Sequence, residues 1–355
     1  MAWLIGDSFD FHSSATDLTL PGSVWATPLG GPSTNSRFGV GLSLAGVSMS
    51  SSAISKSVFF TNSTTVYVNF ASMNSFAPYP NPGSTAQGFG VNIYDTNAFQ
   101  CALVFRQQGD MVLLGGRTNV GTVIATSPVI PSLSTTIWNH FQVKLVISTT
   151  VGSIEVRLNG NNTPVFIATG LNTQNGSGNN YCNAIGFEQI FEGGYQPYVD
   201  DLYVFNDQGV APNTWQGDVR AVQLMPNSDL SVVWSHSTGS TNWQCVDEPI
   251  ENGDTDYVYT LTANNVDQYG TTSLAVTPTA IVNVVTKALV RMDDAGPHSV
   301  RTRLTSNAIT SDSALLNLAS TYQWLWTNYL TDPSGGAAWT TTRVNAATIG
   351  PFCVS

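Results

Sequence analysis

The chain is acidic, apolar and poor in charge: its 355 residues include 42% hydrophobic and 10% charged side chains, and the formal net charge is −11. Average soluble proteins carry about 25% charged residues. Because Lys and Arg are few, the sequence contains no basic cluster for binding phosphate, and nucleic acid is not an expected partner. No apolar run approaches the roughly 20 residues that span a bilayer, so no membrane is expected either.

Short apolar or alternating segments, bounded by Gly, Pro, Asn or Ser, recur along the first half of the chain. This pattern is typical of an all-β sandwich or barrel, and helical periodicity is nearly absent. In chain order the predicted strands include Ser57–Phe60, Val66–Phe70, Gly88–Tyr94, Ala102–Arg106, Met111–Leu114 and His140–Ile147.

The stretch Ile137–Val165 predicts an antiparallel meander. Apolar side chains alternate over Phe141–Ile147 and again over Ile154–Leu158. Asn159-Gly160 follows the second of these strands, and both residue types tolerate the positive φ of a type I′ turn.

The cysteines and the amino terminus indicate a protein made in the cytosol. The opening MAWLIGDSFDF has no basic region and no cleavage site, so no secretory leader is expected. The four cysteines lie far apart, without the spacing of a zinc site or a disulfide framework, and buried thiols are predicted. They are Cys101, Cys182, Cys245 and Cys353.

Seven segments of the first half form a recognisable succession: Asp7–Asp10, Ser36–Gly39, Trp138–Phe141, Val143–Leu145, Gly152–Gly160, Gly186-Phe187 and Val199–Val204. On these residues the first half resembles the concanavalin-like (laminin-G, pentraxin-type) jelly-roll sandwich. The resemblance implies that the first strand pairs close to the last over roughly residues 1–210. This fold serves lectins, hydrolases and structural modules alike, so the resemblance implies no single activity.

The second half has its own set of recognisable positions: Gly217–Arg220, Pro226, Trp234, Asp247-Glu248 and Asp256-Tyr257. On these residues it is similar to the carboxy-terminal region of tailed-bacteriophage virion proteins that follow a concanavalin-like domain with a second β domain. The resemblance implies a virion setting more firmly than an activity.

Two domains are predicted, a jelly-roll sandwich over residues 1–210 and a second β-sandwich for assembly contacts over residues 211–355. The boundary is placed within Asp207–Gly217, where Gly and Pro break the strand pattern. In the second domain, Ile281–Met292 and Val300–Leu304 are predicted to form a hairpin. The segment Ser313–Tyr329 fits a strand at least as well as a helix because of its Thr, Tyr and Trp content.

No catalytic constellation is recognisable, and a protein without enzymatic activity is predicted. Glycoside hydrolases need two carboxylates beside one bond, about 5–5.5 Å apart in retaining enzymes. Glu188 and Glu192 are the closest approximation, but along a strand of ~3.3 Å rise they would lie ~13 Å apart. No Gly-Xaa-Ser-Xaa-Gly elbow accompanies the histidines.

Asp200 and Asp201 interrupt an apolar strand. Adjacent side chains of a strand face opposite sides, so the pair cannot grip one substrate unless the strand is bulged. The prediction is a structural role, with Arg37 as partner by resemblance to the fold. The alternative is a calcium site that uses one of these aspartates with backbone and Asn oxygens. Apart from that calcium, no cofactor or metal is predicted.

Aromatic and Asn-rich loops offer a glycan site. Tyr79, Tyr195 and Tyr198 are the candidate aromatic residues, and Asn180 lies in the Gly-rich loop Gly170–Asn183. The simpler interpretation is that these are ordinary sandwich loops with tyrosines packed on the rim.

Together these observations predict a non-enzymatic structural component of a tailed-phage virion, in the head decoration, tail, fibre or baseplate. Its sandwich surfaces would contact other virion proteins and further copies of the chain in a homo-oligomer. It would be synthesised in the cytoplasm of the host bacterium. The alternative is a carbohydrate-binding adhesin or lectin for host recognition, followed by a glucanase-like hydrolase.

Overall fold

The computed structural model describes residues 3–27, 31–38, 42–45, 54–74, 85, 87–118, 120–133, 136–176, 178–190, 197–209, 213–294 and 298–355. Over these residues the chain is almost entirely antiparallel β-structure, which confirms the predicted all-β fold class. It divides into two compact units, Met1–Thr19 with Val24–Ala221 and Leu20–Ser23 with Val222–Ser355. No helix in the described ranges is long and apolar enough to cross a membrane.

The first unit extends further than the predicted boundary at residue 210. The Asp218 carboxylate is ion-paired with Arg37, and the Trp215 ring meets Tyr67 edge-on with centroids 5.3 Å apart. These contacts hold the segment after residue 213 on the first unit. The first unit therefore includes residues up to Ala221, beyond the Gly- and Pro-containing stretch within which the boundary was predicted.

The first unit is a sandwich of two sheets. The eight-stranded sheet has the order β13-β12-β11-β6-β15-β4-β3, with β1 on β15, and the seven-stranded sheet has the order β10-β9-β8-β7-β14-β5-β2. The strands are Trp3–Asp7 (β1), Trp25–Thr27 (β2), Gly31–Ser33 (β3), Ser43–Ala45 (β4), Ile54–Ser57 (β5), Thr65–Asn74 (β6), Gln87–Asp95 (β7), Ala98–Arg106 (β8), Met111–Gly115 (β9), Thr122–Thr126 (β10), Asn139–Val146 (β11), Gly152–Leu158 (β12), Phe166–Leu171 (β13), Ala184–Gln189 (β14) and Pro197–Asn206 (β15), with a 3-10 turn at Asp17–Thr19.

The predicted meander is formed by β11, β12 and β13. β11 and β12 pair without a register shift. Asn159 and Gly160 have φ of 52° and 72°, and Asn161 N donates to Leu158 O at 3.0 Å. The turn therefore has the positive backbone angles that Asn-Gly accommodates.

Phenylalanine rings fill the space between the two sheets. Phe70 lies 5.2 Å from Phe187 and 6.2 Å from Phe89 between ring centroids. A cavity of about 10 Å³ lined by aliphatic side chains, among them Val68, Val91 and Leu145, lies between the strands of the two sheets and has room for no more than about one water molecule. Since strand side chains alternate, Phe187 faces this core and the next residue, Glu188, faces the other side of the seven-stranded sheet.

The second unit consists of a six-stranded sheet and two strand pairs. The sheet has the order β16-β19-β25-β21-β22, with β23 on β21, and the pairs are β17-β18 and β20-β24. Its elements are Pro226–Ser231 (β16), Ser235–His236 (β17), Val258–Tyr259 (β18), Gln268–Thr271 (β19), Val284–Val290 (β20), Ser299–Ser306 (β21), Ile309–Asp312 (β22), Leu316–Asn317 (β23), Gln323–Tyr329 (β24), Thr348–Cys353 (β25), the helix Thr341–Ala346 (α1) and a 3-10 turn at Trp243–Cys245.

The predicted hairpin of Ile281–Met292 with Val300–Leu304 is wrong. β20 pairs with β24, and β21 pairs with β22, β23 and β25. Thr286 Oγ1 and Thr302 Oγ1 lie 3.1 Å apart. β20 and β21 thus meet through their side chains, and β24, more distant in sequence, supplies the backbone partner of β20 over its whole length.

Candidate functional site

An open cleft of about 560 Å³ lies beside the start of β8. Phe99 of β8, Gly115 at the end of β9 and Thr122 at the start of β10 border it. Asn175, from the loop after β13, forms a further side. The volume is within the ~300–1,000 Å³ typical of sites for small molecules.

Glycines shape the cleft because backbone segments approach one another closely there. A Cβ on Gly121 would lie 2.6 Å from Gly115 O and 2.7 Å from Arg117 O. A Cβ on Gly176, whose φ is +65°, would lie 2.8 Å from Phe99 O. Only glycine therefore fits at these two positions.

Arg117 connects the cleft to a buried carboxylate. Its Nη2 and Nε donate to the two oxygens of Glu188, which is 4% exposed. Thr118 Oγ1 also donates to Glu188 Oε2, and Asn92 Nδ2 donates to the same oxygen at 2.8 Å. The hydrogen bond with Glu188 raises the pKa of Arg117, so the guanidinium remains charged.

Three groups of the cleft are available to a ligand. The half-buried Phe99 ring borders it and also contacts the Tyr94 ring, 4.7 Å away between centroids, and the Arg117 guanidinium, 5.6 Å from its centroid. In the described part of the chain, neither Arg117 Nη1 nor the Asn175 side-chain amide makes a hydrogen bond. An aromatic face beside a planar donor and an amide can hold a ring that carries both C–H groups and hydroxyls.

The predicted glycan residues lie differently from this cleft. Tyr79 and Tyr195 are outside the described residues. Tyr198 is only 4% exposed within β15, so little of its ring reaches solvent, and its assignment to a sugar site stays a prediction. Asn180 is exposed in the predicted loop but does not line the cleft, whereas Asn175 of that loop does.

Phe99 and Arg117 were missed by sequence reasoning. Phe99 reads as an ordinary strand residue, and its role depends on a loop 76 positions later that supplies Asn175. The available signal was the Gly-rich run Gly115–Gly121 between two apolar strands, which indicates close backbone approach.

Asp200 and Asp201 are brought together with Arg37 at a bulge of β15. The register shifts between Asp200 and Tyr203, and Asp201 has a φ of 49°. Arg37 Nη1 donates to Asp201 Oδ2 at 3.0 Å, and Arg37 N donates to Asp200 Oδ2 at 2.8 Å. Asp200 Oδ1 accepts from Asp201 N at 2.8 Å, and Asp201 Oδ1 accepts from Ala221 N at 2.7 Å.

Burial perturbs the acids around this bulge. Desolvation raises the pKa of Asp200 to about 8, and the neighbouring Asp201 charge adds to the effect. Desolvation likewise raises the pKa of Asp10 to about 7, against the hydrogen bond from Leu42 N. Asp200 and Asp10 therefore bind a proton more tightly than a free aspartate.

The calcium hypothesis for Asp200 and Asp201 stays a prediction. Their oxygens accept N–H groups and the Arg37 guanidinium. Within the described ranges, no group of three or more His, Cys, Asp or Glu residues is arranged to hold a metal ion. The cysteines are buried thiols without disulfides.

Comparison with known proteins gives structural likeness alone. The chain matches no family model and no curated protein. It is similar to a tetrameric galectin from the sponge Cinachyrella sp. (TM-score 0.30, 9% identity, 43% of this chain and 99% of that one). It is also similar to the Ca²⁺/Man3GlcNAc-bound VIP36 lumenal domain (TM-score 0.33, 8% identity, 54% and 86%) and to a β-glucanase catalytic domain from Podospora anserina (TM-score 0.34, 11% identity, 56% and 96%).

The prediction of a protein without enzymatic activity is corrected by this comparison. Glycoside hydrolase catalytic domains are among the similar structures, so the exclusion of activity is wrong. TM-scores below 0.5 carry no argument for a particular reaction. Of the two predicted carboxylates, Glu188 lies behind Arg117 with both oxygens hydrogen-bonded, and Glu192 is outside the described residues.

Proposed function

We propose that the first unit binds carbohydrate at the cleft bordered by Phe99, Arg117 and Asn175. The observation that carries the proposal is the combination, in one open cleft, of a partly exposed aromatic ring with an amide and a guanidinium nitrogen that make no hydrogen bond in the described part of the chain. A sugar ring presents an apolar C–H face and a rim of hydroxyls, and these match the two kinds of group.

The cleft favours binding of the terminal sugar of a glycan over binding of an extended polysaccharide chain along its length. The cleft is short and open, and Val120, which borders it, is 77% exposed. Arg117 is held by Glu188, so its donors are positioned before a ligand arrives. Such preorganisation reduces the entropy cost of binding.

The test is a glycan array followed by calorimetric titration of the hits, using the full chain. Phe99→Ala and Asn175→Ala should each weaken binding at least about tenfold, the equivalent of one lost stacking or hydrogen-bond contact. Phe59→Ala is the matched aromatic control, since Phe59 is 54% exposed and lies outside the cleft. Asn180→Ala is the matched amide control, and equal losses for Asn180→Ala and Asn175→Ala would contradict the assignment.

Two further arms use the same samples. Binding is repeated with calcium and with EDTA, because a loss in EDTA would make a metal ion part of the site. Release of reducing sugar is measured for the wild type and for Glu188→Gln. Release of reducing sugar by the wild type that is lost in Glu188→Gln would show that the cleft is an active site.

The virion setting is a separate proposal that rests on the resemblance of Gly217–Arg220, Trp234 and Asp256-Tyr257 to phage virion proteins. A carbohydrate-binding unit joined to a second β unit suits an appendage that contacts a host surface. Copurification with phage particles at a fixed stoichiometry would support it, and absence of the chain from purified particles would refute it.

A further inference from the structure

We propose that the cleft selects uncharged sugars, and that the buried Glu188 sets this selectivity by cancelling the charge of Arg117. The inference rests on the proposed function and names its ligand class. Glu188 acts here as a positioning residue, because it reaches the ligand only through the Arg117 guanidinium.

Charge at the cleft depends on a single side chain. Among the residues that border it in the described ranges, Arg117 is the only ionisable one; the others include Phe99, Val120, Thr122 and Asn175. The Arg117 side chain is 28% exposed, so part of the guanidinium reaches solvent while part is covered. Whether the cleft attracts anions therefore depends on what neutralises this group.

Glu188 is placed to neutralise Arg117 permanently. Its two oxygens receive Arg117 Nη2 and Nε, so the pair is bidentate and fixes the plane of the guanidinium. Thr118 Oγ1 and Asn92 Nδ2 also donate to Glu188, and both residues are fully buried. These donors satisfy the carboxylate, which has little remaining capacity to accept from a ligand.

The pair leaves a neutral but directional donor at the cleft. Arg117 Nη1 carries two N–H groups in the guanidinium plane, suited to a hydroxyl or ring oxygen. A ligand carboxylate or sulfate would gain less attraction from Arg117 paired with Glu188 than from an unpaired guanidinium, because the Glu188 charge offsets part of the Arg117 charge. The chain's net charge of −11 would also oppose the approach of an anion. The structure therefore favours neutral hexoses over uronic acids and sulfated sugars.

The test compares matched ligands that differ only in charge. Each neutral glycan bound on the array is titrated beside its uronic-acid or sulfated counterpart, against wild type, Glu188→Gln and Glu155→Gln. Glu155→Gln is the matched control. Glu155 Oε1 lies 2.8 Å from Arg157 Nε, and neither residue borders the cleft. We expect the wild type and Glu155→Gln to prefer the neutral partner. Glu188→Gln should shift the affinity ratio toward the anion about tenfold or more, as an uncompensated charge near the ligand would.

Salt dependence gives a readout that a merely structural role of Glu188 would not move. The affinity of the wild type for a neutral sugar should be insensitive to ionic strength. The affinity of Glu188→Gln for an anionic sugar should fall as salt is raised from about 50 mM to about 500 mM, because salt screens the charge of Arg117. Should Glu188→Gln not fold, a wild type that prefers the charged partner would still overturn the inference. Arg117→Gln should lose affinity for the neutral sugar without gaining any for the anion.

The outcomes separate this inference from the proposed function. A wild type that prefers the charged partner, or a folded Glu188→Gln with an unchanged ratio, would overturn the charge argument while carbohydrate binding stands. A wild type that binds no glycan on the array would instead remove the proposed function, and the inference with it.

Discussion

Replacing Arg37 by Met should destabilise the first unit, because it leaves a buried carboxylate without its cation. The Arg37 side chain is 7% exposed and Asp201 is 5% exposed, so water cannot replace the lost partner. After the change Asp201 keeps its hydrogen bond from Ala221 N, while Val219 O loses the Arg37 donor. Breaking one side of a buried pair costs about 3–5 kcal/mol, and the lower end is expected here.

The assay is pulse proteolysis across a urea series, with peptides of the first unit followed by mass spectrometry so that the two units are read separately. With a urea m-value of about 2–3 kcal/mol/M, the midpoint should fall by roughly 1–1.5 M. Arg157→Met is the matched control. The Arg157–Glu155 pair is 18% and 22% exposed, so its loss should cost at most about 1 kcal/mol. Equal midpoint shifts for Arg37→Met and Arg157→Met would refute the reasoning.

Three more predictions concern acids and a glycine. Because the folded pKa of Asp10 is raised to about 7 by burial, its contribution to stability is complete below the unfolded pKa near 3.8 and is lost as the pH rises through 7. The free energy of unfolding, measured by urea titration, should fall between pH 5 and pH 8. In Asp10→Asn this fall should be smaller than in the wild type by ~1 kcal/mol or more, and an equal fall in both proteins would contradict the prediction. In the second unit, Asp267→Ala should lower the free energy of unfolding by about 3 kcal/mol or more, measured by the same proteolysis. The buried Asp267 carboxylate accepts hydrogen bonds from two backbone N–H groups and from the side chains of Asn242 and Tyr269. A loss below about 1 kcal/mol would show that water replaces the carboxylate. Gly121→Ala should abolish glycan binding, since its Cβ meets Gly115 O and Arg117 O; normal affinity would show that the loop yields.

Much of the fold could be predicted from local patterns. Alternation over Phe141–Ile147 and Ile154–Leu158 is enough to specify two strands and their buried face, because the side-chain period of a strand is two. Asn159-Gly160 specifies the turn after them, since few other residue pairs accept two positive φ angles. These features depend on neighbours in sequence, and the structure has them where the sequence places them.

Which strands and side chains contact one another across long sequence distances was determined by the tertiary structure alone. β20 pairs with β24 and not with the nearer β21, and no local sequence feature distinguishes these two candidate partners. Arg117 meets Glu188, and Asp201 meets both Arg37 and Ala221, only once strands distant in sequence have paired within each sheet. A sequence pattern predicts which face a side chain occupies but not which side chain lies opposite, and both the candidate cleft and the charge balance within it depend on that second choice.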